Sequence, residues 1–338
     1  MKISLFTYSK TGIETARRIA AALGGGLCAY TVPRLAAKGF APIPTPSAQL
    51  YSKAFSESEA LIFVGSCGIA VRCIAPYVKS KTTDPAVVVT DERGRFVVPI
   101  LSGHLGGANA LAERVAAILG ATPVITTATD INGRFSVDAW AMANSFAIAD
   151  MGLAKAVSAA VLEGDVPIKS DFPIKGALPA GLSLYESGAL GCYFTYTRNE
   201  PFGRTLRLIP KCLHLGIGCR RGVSKQAVAE AVRLALEGSN LDPLAIKCAA
   251  SIDLKKDEAG LLEYCREVGL PISFYSAREL NAVKGEFTGS DFVKQTTGVD
   301  CVCERAALLQ AERLIIKKLA ADGVTVAVAL DNTEVHFG

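Results

Sequence analysis

The chain has 338 residues, half of them hydrophobic and 20% charged, with a formal net charge of +4; that length allows two or three domains with cores of their own. It has no dense Lys/Arg clusters with interleaved aromatics, which argues against a nucleic-acid binder, and no apolar run near the ~18 residues that a membrane helix needs. The opening M-K-I-S-L-F-T-Y-S-K turns polar too early for a signal peptide, so a cytoplasmic protein with reduced thiols is expected.

Residues 2–8 read as a strand. Thr11 and Glu14 form a capping box for a helix whose buried stripe is Ile13, Ala16, Ile19, Ala20 and Leu23, stopped at Gly24. A proline-bearing stretch, 41–47, reads as a connector. Residues 60–64 are a short buried strand that runs into a loop with Gly65 and Gly68, then a helix ending near Pro76. Strands at 86–90 and 96–101 flank Asp91-Glu92-Arg93-Gly94, a hairpin turn. The loop L-S-G-H-L-G-G follows, then a helix with Ala108, Leu111, Ala112, Val115, Ile118 and Leu119 on one face and Gly120 at its end. A strand is expected at 123–126. Two strand–glycine loop–helix segments in sequence suit an open sheet whose ligand sits at the strands' carboxyl ends.

The pattern weakens over 137–210, with helices expected at 138–149 and 154–162 and then scattered Pro and Gly. It returns at L-H-L-G-I-G-C-R-R-G (213–222). Ser224 caps a helix, 246–252 is a strand, 261–268 a helix, Ser276 and Glu279 form a capping box, and 324–330 is a strand. The predicted fold class is α/β: two open-sheet α/β domains, 1–136 and 211–338, joined by a smaller, less regular middle region, 137–210.

His104 is the first candidate for chemistry. An imidazole titrates near neutrality and serves as acid or base, and a glycine loop before a helix lets a ligand approach. The alternative is a histidine that only braces its loop. Ser102 and the backbone of 103–107, Gly103, Gly106 and Gly107 included, could stabilise an oxyanion; no G-x-S-x-G elbow makes Ser102 a nucleophile. Asn109 could touch a ligand carbonyl or cap the helix. Asp91 could orient His104, or bond its own turn. Arg72, Lys79, Lys81, Arg93 and Arg95 near these loops, with Arg220 and Arg221 beside Gly218, could hold carboxylates; each could equally be a solvated surface charge.

Gly216, Gly218 and Gly222 miss the dinucleotide spacing, and neither a P-loop nor H-E-x-x-H is present. Of the other histidines, His214 reads as a strand residue and His336 as near-terminal. The ten cysteines contain no C-x-x-C, and no His/Cys pair has zinc-site spacing. They read as small core residues, with the side chains of Cys301 and Cys303 expected to diverge. No metal site is expected.

The order of G-S-C-G-I-A-V-R-C-I-A-P (65–76), K-T-T-D-P-A-V-V-V-T-D-E-R-G-R (81–95), the His104 segment, T-P-V-I-T-T-A-T-D (122–130), G-I-G-C-R-R-G (216–222) and A-S-I-D-L-K-K-D-E (250–258) resembles the CbiG family, the cobalt-precorrin-5A hydrolases of anaerobic cobalamin biosynthesis. The resemblance implies hydrolytic opening of a ring-fused δ-lactone and release of a two-carbon unit as acetaldehyde. It implies a cobalt-tetrapyrrole substrate that brings its own cobalt, with no resident cofactor, no nucleic acid and no membrane. It leaves room for contacts with other enzymes of the pathway. His104 would then be the acid–base group, with Ser102 beside it. Gly65, Gly68, Arg72, Asp91, Arg95, Gly103, Gly106, Gly107, Asn109, Gly218, Arg220 and Arg221 would bind substrate. A corrinoid carrier without chemistry of its own is the alternative. A nucleotide-dependent enzyme using the His104 loop for phosphate is a weaker one.

Overall fold

The computed structural model describes residues 1–80, 83–104, 106–185 and 187–337. The chain divides into two compact units, Met1–Met142 and Ala143–Gly338. Lys81, named above among the basic residues, lies outside the described residues.

The first unit runs β1 (Ile3–Thr7), α1 (Lys10–Leu23), β2 (Leu27–Thr31), β3 (Ala41–Pro42), α2 (Ala48–Glu57), β4 (Ala60–Val64), α3 (Cys67–Ile74), β5 (Ala86–Thr90), β6 (Phe96–Leu101), α4 (Ala108–Leu119), β7 (Thr122–Pro123) and α5 (Ala128–Ile131), and closes in α6 (Val137–Ala143). Its sheet has the order β3-β2-β1-β4-β5-β6-β7. Every residue of β1, β4 and β5 is buried, as expected of central parallel strands covered on both faces. Alternation divides them. Leu5, Ile62 and Val88 pack with Ala16 and Ile19 of α1 and Leu111 and Val115 of α4. Phe6, Phe63 and Val89 pack with Tyr51 and Phe55 of α2 and Ala70 and Ile74 of α3. Full burial of one such large side chain contributes roughly 1.5–3 kcal/mol.

The predicted helix stripes are observed, with details that differ at the ends. Helix α1 begins earlier than its expected capping box: Ser9 is the N-cap and accepts from the Gly12 N–H at 3.0 Å. Helix α4 ends at Gly120 in the left-handed conformation. Strand β7 is shorter than expected. Helix α6 stops at Ala143 where a helix to 149 was expected, because the next segment pairs in a sheet instead.

That segment, β8 (Phe146–Ile148), opens the second unit. It is followed by α7 (Met151–Glu163), β9 (Val166–Ser170), β10 (Ile174–Lys175), β11 (Leu182–Ser183), β12 (Gly191–Phe194) and β13 (Thr205–Pro210). Strands β11-β9-β12-β13-β8 form one sheet, parallel except for β8. Short strands and Pro167 inside β9 hide this sheet from a periodicity reading. The remainder is β14 (Leu213–Cys219), α8 (Lys225–Gly238), β15 (Ile246–Ile252), α9 (Ala259–Glu267), β16 (Ile272–Tyr275), α10 (Ala277–Ala282), α11 (Asp291–Thr297), α12 (Val302–Leu308), β17 (Arg313–Ala321), β18 (Val324–Leu330) and β19 (Val335–His336). A second sheet has the order β16-β15-β14-β18-β17. Ser224 caps α8, and Ser276 with Glu279 forms the expected capping box on α10. Gly216 lets α12 lie against β14: a Cβ there would sit 1.8 Å from the Cys303 carbonyl oxygen. Both units are α/β. Among the described residues no helix is long and apolar enough to cross a membrane.

Candidate functional site

Strand direction decides which loops share an edge. Strand β5 is parallel to β4, whereas β6 is antiparallel to β5, with Thr90 beside Val97 and Val87 beside Leu101. The loop after β4 therefore leaves the sheet where β5 ends, and the Gly65 N–H donates to the Thr90 carbonyl at 2.8 Å. The His104 loop leaves where β5 begins, and the Ser102 hydroxyl donates to the Asp84 carbonyl at 2.9 Å. The expected pairing of both glycine loops at one carboxyl edge is thus replaced by opposite edges. Gly65 and the 91–95 turn lie at one, and Ser102, Gly103, His104, Gly106, Gly107 and Asn109 at the other. Gly68 and Arg72 lie on α3, exposed.

At the His104 edge the side chains converge. His104 Nε2 is 2.9 Å from Asp130 Oδ2. The same oxygen accepts from Asn109 Nδ2 at 2.8 Å, and Nδ2 also donates to Thr127 Oγ1 at 3.0 Å. On the other side of the ring, His104 Nδ1 is 3.1 Å from Ser136 Oγ. A carboxylate can only accept, so Nε2 carries a proton, and in the neutral tautomer the ring presents a lone pair at Nδ1. The imidazole is 15% exposed and the Asp130 side chain 35%, enough to reach solvent or a ligand without floating in it.

The glycines hold this arrangement in place. A Cβ on Gly103 would sit 2.8 Å from Asn109 Oδ1, and one on Gly106 would sit 2.3 Å from Ser102 Cβ. Ser102 itself takes φ +56, a left-handed conformation uncommon outside glycine. Gly107 donates its N–H to the His104 carbonyl at 2.9 Å. The Ser102 hydroxyl and the Gly107 N–H, both expected as oxyanion donors, are therefore committed to the loop's own shape. Leu105, within the expected 103–107 set, lies outside the described residues.

Asp91 does not orient His104. Its carboxylate accepts from the N–H groups of Arg93, Arg95 and Phe96 at 3.0, 2.8 and 2.9 Å and so closes the hairpin turn. Burial alone would raise its pKa, but the N–H groups outweigh that and hold it below the usual carboxylate range. Arg95 is 67% exposed, its Nε 3.8 Å from Asp91. Sequence reasoning missed the true partners, Asp130 and Ser136. Asp130 ends one of the motifs that carry the resemblance; nothing local marks Ser136.

The second unit contains a cavity of about 600 Å³ at the carboxyl ends of β14 and β15. Gly218, Arg220 and Arg221 line it, with Lys255 and Lys318 adding charge and Ile252, Phe292 and Val302 apolar surface. Cys301 and Cys303 also line it. Their sulfurs face each other at 3.9 Å instead of diverging, since Cys301 is extended (φ −145) just before α12 begins. The Cys303 thiol lowers the pKa of Cys301, and the pair drives that of Cys303 well up. His214 is 3% exposed, with Nδ1 3.2 Å from Cys248 Sγ and Nε2 3.0 Å from Asp331 Oδ2.

A histidine held by a carboxylate on a glycine loop in the first unit, and a cation-rimmed cavity in the second, are the places in this α/β protein where chemistry or binding is to be sought. Residues 49–130 match the Cobalamin synthesis G N-terminal family, and residues 213–329 match the Cobalamin synthesis G C-terminus. The chain is 37% identical to the cobalt-precorrin-5A hydrolase of Salmonella typhimurium, over 97% of each chain. It is 35% identical to the cobalt-precorrin-5A hydrolase of Priestia megaterium, over 82% of this chain and 79% of that one. Protein CobE of a Sinorhizobium species is 31% identical over 35% of this chain and 79% of its own. The chain belongs to the cobalamin synthesis G family, CbiG.

Proposed function

We propose that this protein opens the ring-fused δ-lactone of cobalt-precorrin-5A with water and releases the two-carbon unit as acetaldehyde, leaving cobalt-precorrin-5B. The observation that carries this reading is the imidazole of His104, held by Asp130 at Nε2 so that Nδ1, facing the Ser136 hydroxyl, can take a proton. Its setting is a chain similar over nearly its whole length to a protein named for that hydrolysis. Lactone opening needs a base for the attacking hydroxyl and an acid for the departing alkoxide, and one neutral imidazole serves both in turn. Fragmentation of the carbon–carbon bond then needs a proton moved again within the same site. Ser102, Gly103, Gly106 and Gly107 hold the loop in the shape that presents His104.

Arg220 and Arg221 suit the acetate and propionate arms of a tetrapyrrole, since guanidinium forks pair with carboxylates. Gly218 leaves room for Thr325, whose Oγ1 a Cβ there would meet at 2.6 Å. Arg72 and Arg95, exposed on other surfaces, are weaker candidates for such arms. Cobalt enters and leaves with the substrate, so the reading calls for no resident cofactor. A cytoplasmic location goes with it.

The test is an anaerobic incubation with cobalt-precorrin-5A, trapping acetaldehyde and following the tetrapyrrole mass. Stoichiometric acetaldehyde with loss of the two-carbon unit is expected. Tight binding without acetaldehyde would replace the hydrolase with a corrinoid carrier.

A further inference from the structure

His104 has two partners, and only one of them holds it. The Asp130 carboxylate fixes the Nε2 proton. In the neutral tautomer the lone pair at Nδ1 faces Ser136 Oγ, 3.1 Å away, and is placed to accept its hydroxyl proton. The order Ser136–His104–Asp130 is a hydroxyl, a base and a carboxylate in line, which is the arrangement that activates a serine. The three residues come from separate segments: the glycine loop, α5, and the residue before α6. Asn109 bonds Asp130 from the start of α4, so the carboxylate is itself held. Ser136 is half-buried, neither sealed in a core nor lost to solvent.

Cys248, His214 and Asp331 stand in the same order, but His214 Nε2, 3.0 Å from Asp331 Oδ2, makes no hydrogen bond. There the histidine is 3% exposed, and burial pushes the pKa of the Cys248 thiol up, which keeps the sulfur protonated and unreactive.

We propose that Ser136 is the nucleophile that opens the lactone, with His104 as its base and Asp130 as the positioning residue. This rests on the lactone-hydrolase reading above. Ser136 Oγ bonds to the lactone carbonyl carbon while its proton passes to His104 Nδ1. The tetrahedral adduct collapses by breaking the ring C–O bond, and the departing alkoxide takes the proton from His104. Water then attacks the ester on Ser136 and gives one proton to His104. The C–Oγ bond breaks, and Ser136 recovers its proton. One water is consumed, a hydroxy acid is formed, and nothing is oxidised or reduced.

The full-length protein is treated with a fluorophosphonate, which esterifies activated serines and needs no tetrapyrrole. Peptide mass mapping is expected to find the label on Ser136, and to lose it in Ser136→Ala and His104→Gln. Acid quench of wild type during turnover should trap a tetrapyrrole ester on the same residue. Asp130→Asn should lower kcat far more than it raises KM and should displace the pH profile, which a merely structural residue would not do.

A serine just before a helix also commonly caps it, so Ser136→Asn is the control: it keeps a good capping side chain and cannot form an ester. Turnover in Ser136→Asn falling at least about a thousandfold, with an unchanged melting temperature, supports the nucleophile. Turnover within tenfold of wild type in Ser136→Asn or Ser136→Ala overturns it, His104 then acting on water directly, and the lactone-hydrolase reading survives. Should wild type release no acetaldehyde, the lactone reading fails; fluorophosphonate labelling of Ser136 would still support an activated serine, and its absence would overturn one.

Discussion

Residues 60–74 and 96–119 carry the same signature, a buried strand, a glycine loop and an amphipathic helix, yet they build different things. The first follows a strand parallel to its neighbours. Its loop is short, Ser66 caps α3 by accepting from the Ile69 N–H, and a Cβ on Gly68 would meet nothing within 4 Å. The second follows the one long strand of the sheet that runs the other way. Its loop is crowded, with Gly106 against Ser102 and Gly103 against Asn109, and it brings a histidine to a carboxylate and a hydroxyl. Glycine spacing tells where a backbone must bend. The hairpin before it tells which edge the bend serves.

The sharpest way to break this comparison is His104→Ala. A lost acid–base group costs about 10²- to 10⁴-fold in turnover, so acetaldehyde release should fall by that much or more while tetrapyrrole binding stays within about tenfold. A variant with wild-type turnover would show that the crowded loop is only architecture. Next is Gly106→Ala. The added methyl lands on Ser102 Cβ, and overpacking of this kind costs roughly 1–3 kcal/mol; denaturant melts should record it together with lost activity.

Asp91→Ala probes the hairpin. Losing its three N–H bonds should cost about 1–2 kcal/mol at neutral pH, with turnover retained at low temperature, because Asp91 closes a turn and does not touch His104. Its carboxyl is depressed in the folded state, so its stabilisation is complete above the unfolded value of 3.8 and is lost as pH falls through the folded value. Urea melts of wild type and variant should converge in acid; a gap that widened there would refute the turn-closing role. Smallest is Gly68→Ala. With open space in a helix, alanine should stabilise by roughly 0.5–1 kcal/mol, and a measurable loss of stability would mean that the first loop is tighter than it looks.

Much of this was legible in the residues. The helix stripes of α1 and α4, the caps at Ser224 and Ser276, and the glycine loop that carries His104 all follow from local periodicity and local side-chain chemistry. What stayed hidden depends on distant partners. Asp130 and Ser136 lie 26 and 32 residues from His104, and nothing near them marks that they fold back. Asp91 was a tempting orienter, but its own turn supplies three donors within five residues. Residues 146–148 look helical in isolation and become a strand because β13 offers them an edge. Cys301 and Cys303 face each other because a helix starts between them, which alternation alone does not foresee.

The five-residue turn between β5 and β6 also governs the order in which the molecule can form. Strands β1 and β4 meet across more than fifty residues of chain, and closing a loop of that length slows association. The β5–β6 pair is a hairpin, and hairpins form within roughly 1–10 μs. In a refolding pulse of hydrogen exchange, the amides of Val89 and Val98 should gain protection before those of Leu5 and Ile62. The strand that delivers His104 would then be among the first pieces of this unit to take its native place, with the parallel strands assembling around it.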